Sequence, residues 1–230
     1  MIPDKNLFIV TSALKPGIGA FSDEDRFNQT VATLKSLRKH VPNLKLVFVD
    51  SSIRPIPQIE RDVIGGLVNL YMDMSQEPNM KHLSEIGAKS HAELVMLFNT
   101  LAAMRHDPQL HGILDDVKRI FKFSARSELE DTFDISQYEN MFGKFVFKKR
   151  IPSWMNPAPV SDLLITRMFS LCPSLIETYL GVIKQNLASC DAGLDTEHAH
   201  FQNIPKEYLV EFDKLHFWGW LAGNGQIEHY

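Results

Sequence analysis

The chain has 230 residues, enough for one substantial domain or two very small ones. Hydrophobic residues make up 44% and charged residues 23%, so apolar surface is sufficient to offset chain entropy, and disorder as the dominant state is excluded. The 24 basic residues against 28 acidic ones leave a net charge of -4, which argues against a nucleic-acid partner, because neutralising phosphates takes a cationic excess.

Two cysteines, Cys172 and Cys190, cannot build a disulfide framework and suit a reducing compartment. The start, Met1 to Val10, lacks the basic segment and long apolar core of a signal peptide, so the expected location is cytoplasmic. No apolar run reaches the roughly 18 residues that a membrane helix needs. The Pro-rich patch from Pro152 to Pro159 is the best candidate for a break, but it is short. A single domain over 1–230, with a long active-site loop at that patch, is expected.

In chain order, Leu7 to Val10 is an apolar run of strand formers followed by Thr11-Ser12 and Pro16-Gly17, a buried strand ending in a loop. Ser22 with Asp25 forms a capping box that opens a helix with Phe27, Val31, Leu34 and Leu37 on its apolar face. Leu46 to Val49 is a second buried strand, ending at Asp50-Ser51-Ser52. This strand–helix–strand unit predicts parallel pairing with a right-handed crossover. Leu67 to Met72 predicts a third strand. Ser90 and Glu93 read as a capping box before a helix carrying Val95, Phe98, Leu101 and Ala102. Val117 to Phe123 predicts a fourth strand, and Lys144 to Lys149 a fifth, nearer an edge because of its charges. Ser161 to Ser189 reads as helical with a break at Pro173, and Lys206 to Leu215 as helical. The tail around Trp218 and Trp220 reads as a strand or packed loop.

Alternating strands and helices predict a three-layer α/β fold, in which ligands bind beyond the carboxyl ends of the parallel strands. That rule selects the loops after the first, second and fourth strands. Thr11, Ser12, Asp50, Ser51 and Ser52 there offer hydroxyls and a carboxylate suited to ribose and a base edge. Gly17-Ile18-Gly19-Ala20 lacks the third glycine of a dinucleotide fingerprint, and no P-loop pattern is present.

The segment Phe21-Ser22-Asp23-Glu24-Asp25-Arg26-Phe27-Asn28-Gln29-Thr30, with Thr33-Leu34-Lys35-Ser36-Leu37-Arg38 and then Val47-Phe48-Val49-Asp50-Ser51-Ser52, resembles the N-terminal half of GT-A-type nucleotide-sugar glycosyltransferases. Phe121-Lys122-Phe123-Ser124-Ala125-Arg126 resembles a Lys-x-Ser-Gly-Arg-Tyr element of some viral and bacterial members, with Ala125 and Ser127 in place of its glycine and tyrosine. Thr196-Glu197-His198, Phe201, Ile204-Pro205 and the Gly219 to Gly223 tail resemble the family's late acidic segment and end. The resemblance implies a three-layer α/β/α GT-A-like (Rossmann-like) fold with a mostly parallel central sheet. It also implies a nucleotide-diphospho-sugar donor, a carbohydrate or glycan acceptor, and a place in glycan or polysaccharide synthesis.

The family's Asp-x-Asp after the fourth strand, which holds a divalent ion (Mn or Mg), is replaced here by Ser124-Ala125-Arg126. Lys122 and Arg126 are therefore expected to balance the diphosphate, so that a metal is not essential. Arg26 and Lys89 are further phosphate candidates, Lys89 through the start of the helix it precedes. Asp50 is either a nucleotide contact or a turn former. Glu93 either orients Lys89 or a sugar hydroxyl, or only caps its helix. Glu197 is the candidate general base, with Arg126 as the second catalytic group; Glu197 equally suits a helix first turn. Trp154 and His198 are placed at the acceptor, where Trp154 suits either a sugar face or packing against the loop prolines, and His198 with His200 lacks a third ligand for zinc. Two rivals stay open. One is a sugar nucleotidyltransferase, disfavoured because Lys15 is the lone basic residue between Thr11 and Gly19. The other is a non-catalytic carbohydrate-binding or assembly protein that kept the fold.

Overall fold

The structure is a computed structural model that describes residues 5–17, 19–86, 88–155, 160–221 and 223–230. The N-terminal half runs β1 (Lys5–Ser12), α1 (Asp23–His40), β2 (Lys45–Asp50), α2 (Gln58–Gly65), β3 (Leu70–Asp73), α3 (Pro78–Glu85) and α4 (Lys89–His106). It continues through β4 (Val117–Ser124), β5 (Ser127–Leu129), β6 (Phe145–Lys148), β7 (Ile151–Pro152), β8 (Asp162–Leu163) and β9 (Met168–Leu171). The chain closes with α5 (Ile176–Asp191), α6 (Thr196–Asn203), β10 (Leu209–Phe212), β11 (Phe217–Trp220) and β12 (Ile227–His229).

Seven strands form the central sheet in the order β10-β6-β9-β4-β1-β2-β3. All neighbouring pairs are parallel except those of β9, which runs antiparallel to β4 and β6. Both faces are covered, which is why β1, β2 and β4 read as near-continuous apolar runs rather than alternating ones. Leu7, Ile9, Val47 and Val49 pack with Leu94, Leu97 and Leu101 of α4, Tyr179 and Ile183 of α5, and Ala199 of α6. The opposite face sends Phe8, Val10, Phe48, Phe121 and Phe123 against Leu34 and Leu37 of α1, Ile64 of α2, Leu129 of β5 and Phe217 of β11. Phe8 and Phe121 stack with centroids 4.4 Å apart across the β1–β4 pair. Helices on both faces give the three-layer α/β arrangement. A second sheet, β12-β11-β5, stands beside α1. The sheet's carboxyl end is where the loops after β1, β2 and β4 meet.

The capping box at Ser22 and Asp25 is formed, with Asp25 N–H donating to Ser22 Oγ at 3.1 Å. The buried face of α1 differs from the periodic apolar one. It carries Arg26, Gln29, Thr30, Thr33 and Ser36 beside Leu34 and Leu37, while Phe27 and Val31 are only half-buried. Ser36 shows why a polar residue sits there: its hydroxyl exchanges hydrogen bonds with the Leu129 backbone.

Five expectations are corrected. The third strand begins at Leu70, because Asn69 turns in to accept the Leu46 N–H through its side chain at 2.8 Å. Helix α4 starts at Lys89 behind Ala88, so Ser90 and Glu93 form no capping box, and its buried face is Ala92, Leu94, Met96, Leu97, Leu101 and Met104. Residues Ser161 to Leu171 are not helical; they hold β8 and β9, and the helix begins at Ile176. A short apolar run buried on both sides carries no period that separates strand from helix, and Met168–Leu171 is such a run. Lys206 to Leu215 is a single 3-10 turn followed by β10, whose parallel pairing with β6 supplies the missing context. That pairing makes β10 the edge and puts β6 one strand in.

Candidate functional site

A cleft of about 180 Å³ opens at the carboxyl ends of β1, β2 and β4. Among the residues the sequence singles out, Thr11, Ser12, Arg26, Ser51, Lys89, Glu93, Ser124 and Arg126 line it. Their convergence follows from register. Thr11 faces Ser124 across β1–β4, and Ser12 faces Asp50 across β1–β2, so three strand ends terminate at one level. Ala13, Pro16, Gly17, Phe21, Ile53 and Met96 are among the residues that make up the rest of the walls. These carry little side-chain chemistry of their own; Pro16 and Gly17 are marked as a loop signal and Phe21 by the family-like segment, while no sequence signal marks Ala13, Ile53 or Met96.

Asp50 and Ser52 sit behind the wall rather than on it. Asp50 accepts the Leu14 N–H and the Ser52 N–H, each at 2.9 Å, and Ser52 Oγ accepts the Lys15 N–H at 2.8 Å. They tie the loop after β1 to the loop after β2. Asp50 is fully buried, and burial pushes its carboxyl up to about 6 despite these hydrogen bonds. Arg26 reaches from α1 to the same loop, where Nε and Nη2 donate to the Ala13 carbonyl at 3.4 and 3.3 Å. Burial pulls Arg26 down to about 9, with Arg126 adding repulsion.

Lys122 also lies beneath the cleft. Its ammonium pairs with Glu93 and donates to the Thr166 carbonyl at 2.8 Å. Glu93 accepts from Thr11 Oγ1 at 3.2 Å. Burial alone would raise the Glu93 carboxyl, but Lys122 and Arg126 hold it below its ordinary value. Thr166 in turn donates its hydroxyl to Glu197 Oε1 at 2.9 Å. A continuous polar chain therefore runs from the cleft wall at Thr11, through Glu93, Lys122 and Thr166, to Glu197 in the first turn of α6. Glu197 itself does not line the cleft. Burial and the nearby Asp195 and Glu93 charges raise its carboxyl.

His198 is completely buried and both ring nitrogens are engaged, Nδ1 with Asp195 at 2.7 Å and Nε2 with Ser153 Oγ at 2.7 Å. It clamps the chain at Ser153 onto α6 rather than facing the cleft. Trp154, next along, is 60% exposed and sets its ring edge-on to His198 at 5.3 Å. Positions 156–159 of the Pro-rich loop, and Ala222 of the tail, lie outside the described residues. His200 bonds to the Tyr179 hydroxyl and the Thr196 carbonyl, and burial lowers it to about 4.

Arg126 stands just past β4 and donates from Nη1 to the Trp220 carbonyl at 2.8 Å. The sequence reading missed its neighbour. Arg167 Nη1 donates to that same carbonyl at 2.9 Å. Arg167 precedes β9, whose antiparallel run beside β4 brings it to the ligand end, with its carbonyl accepting the Ser124 N–H at 2.9 Å. Reading Met168–Leu171 as a strand rather than a helix would have placed it there.

No family model matches the sequence, and none of the curated proteins does. Similarity appears in three dimensions. Core-mannan synthase A (CmsA/Ktr4) from Aspergillus fumigatus, in a Mn/GDP form, superposes with a TM-score of 0.52 at 8% identity, over 90% of this chain and 73% of that one. The glycosyltransferase GlyE of Streptococcus pneumoniae TIGR4 gives a TM-score of 0.51 at 10% identity, over 92% of this chain and 46% of that one. The fold is thus of the GT-A glycosyltransferase type. Among the described residues, no helix is long and apolar enough to cross a membrane.

Proposed function

We propose that this chain is a glycosyltransferase that moves a sugar from a nucleotide-diphospho donor to a hydroxyl of a carbohydrate acceptor. The observation that carries the reading is the cleft at the ends of β1, β2 and β4, where Thr11, Ser12, Ser51 and Ser124 meet Arg26 and Arg126. Hydroxyls and backbone edges suit a nucleoside, and guanidinium groups suit its phosphates. Phe21 and Ile53 add apolar wall for a base, and Lys89 stands at the rim. Asp50, Ser52 and Lys122 support this wall from behind rather than touching the donor.

In the reaction, an acceptor oxygen attacks the anomeric carbon, and the bond from that carbon to the diphosphate oxygen breaks. The acceptor's proton passes to Glu197, and the nucleoside diphosphate departs with its charge held by Arg126. A carboxyl raised by burial is a suitable base for a hydroxyl near neutral pH, and Thr166 fixes its direction. Trp154, exposed on the same side as α6 through His198, offers a flat apolar face for an acceptor sugar.

A panel of UDP-, GDP-, ADP-, CDP- and dTDP-sugars in a donor-hydrolysis assay tests this. One donor is expected to turn over, and Glu197→Gln to slow it by about 10²- to 10⁴-fold while nucleotide binding persists. Turnover left intact in that variant would remove Glu197 from the mechanism. Absence of both turnover and nucleotide binding across the panel would end the reading.

A further inference from the structure

The wall after β4 is built unlike a divalent-cation site. A metal between protein and diphosphate needs carboxylates facing the ligand. Here the positions after β4 are Ser124, Ala125 and Arg126, and the neighbouring carboxylate, Glu93, is already paired with Lys122. Among the described residues, no three His, Cys, Asp or Glu side chains gather as ligands. The residues present do not fit the metal that the fold family implies.

What stands at that end instead is a pair of like charges, Arg126 in the lining of the cleft and Arg167 beside it, outside the lining. Arg126 and Arg167 both donate to the Trp220 carbonyl, at 2.8 and 2.9 Å. Among the described residues, no carboxylate lies within 4 Å of either guanidinium. The Trp220 N–H donates to the Arg126 carbonyl at 3.1 Å, so β11 and the turn after β4 hold each other in place. The Tyr230 ring supports Arg167 from 5.8 Å. Burial, followed by repulsion from Arg167, lowers Arg126 to about 10. Both side chains are only half-buried, and Arg126 opens on the cleft.

Two guanidinium groups held together by one neutral oxygen repel each other, and each has five donors of which only one is used on Trp220. Such an arrangement is favourable once an anion bridges them, because planar forks match phosphate oxygens. We propose that Arg126 and Arg167 form a metal-independent clamp for the diphosphate of the donor, taking the place of a divalent ion. The clamp rests on the nucleotide-sugar reading above and adds to it Arg167 and the mode of charge balance. Arg26, which repels Arg126 from the α1 side, completes a cationic rim. No bond to the protein forms; the clamp neutralises charge that grows on the leaving oxygen.

The test is calorimetric titration of the whole chain with UDP, GDP, ADP, CDP and dTDP, in EDTA and then with Mn²⁺. The nucleosides are followed in parallel by ligand-observed NMR. One diphosphate is expected to bind in EDTA. Arg167→Ala is expected to weaken it by about 10- to 100-fold, while the matching nucleoside changes by less than about 2-fold. Arg167→Lys, which keeps the charge without the fork, is expected to recover only part of the loss. A diphosphate that binds only with Mn²⁺ overturns the clamp and leaves the nucleotide reading standing. So does one that binds in EDTA equally well to wild type, Arg126→Ala and Arg167→Ala. No binding of any diphosphate or nucleoside, with or without Mn²⁺, overturns both.

Discussion

Two charge pairs flank the carboxyl end of β4, and they are built in opposite ways. Glu93–Lys122 is a closed pair. The ammonium is 3% exposed and also bonded to the Thr166 carbonyl, while the carboxylate also accepts from Thr11. Arg126–Arg167 is an open pair of like charges around one carbonyl. A closed pair has its bonding capacity used within the fold, so its removal damages the fold. An open pair costs stability and keeps donors in hand, so its removal is expected to damage binding under the proposed clamp. The location of unused donors, more than total charge, shows where a ligand belongs.

The largest effect is expected from breaking the closed pair. Lys122→Met removes the counter-charge of Glu93, leaving it the Thr11 hydroxyl alone, and the donor of the Thr166 carbonyl, and should destabilise the chain by about 3 kcal/mol. Adding Glu93→Gln should recover part of that loss, read as the coupling in a double-mutant cycle of urea midpoints. If the two losses simply add, the pair is not coupled as its geometry requires.

Asp50 sharpens the contrast, because it is a buried acid that, among the described residues, has no cation within ion-pair distance. Its ordinary value is 3.8 and its value in the fold is about 6, so the native state binds the extra proton between them. This contribution is fully present below about pH 4 and is lost as pH rises through about 6, a swing of about 3 kcal/mol. Asp50→Asn should flatten the stability profile over that window in chemical melts from pH 4 to 7. An unchanged slope would show that Asp50 does not carry it.

Gly219 tests how tightly the open pair's scaffold is set. A Cβ there would stand 3.0 Å from the Arg126 carbonyl oxygen and 3.1 Å from Ser127 Cβ. Gly219→Ala should cost about 1–3 kcal/mol in melting experiments through overpacking, and should shift the clamp with it. The smallest effect on stability is expected from Arg167→Ala. Loss of its bond to Trp220 is offset by relief of repulsion, so the melting free energy should stay within about 0.5 kcal/mol. A large loss would mean that the arginine pair is structural after all.

Local order was legible where a local signal existed. The apolar runs at Leu7, Leu46 and Val117 gave β1, β2 and β4, and Ser22 with Asp25 gave the start of α1. Those three strands alone select the loops that form the cleft, so most of its polar residues could be named in advance. The C-terminal half resisted. Met168–Leu171 and Leu209–Phe212 are strands because β4 and β6 lie beside them, and nothing within the segments states that. Glu93 read as a cap because its spacing from Ser90 suits one, yet a buried ammonium across the sheet made the stronger bond.

The sequence by itself determined the class of fold, the sheet end where the cleft opens, and the Ser124-Ala125-Arg126 end of the fourth strand. These follow from periodicity, capping and residue identity, which act over a few positions. Only the tertiary structure decided which cations are spent and which are available. Lys122 is neutralised by a residue 29 positions before it, and Arg126 is joined by one 41 positions after it. Charge balance depends on distance in space, and the crossing of β9 beside β4 sets that distance.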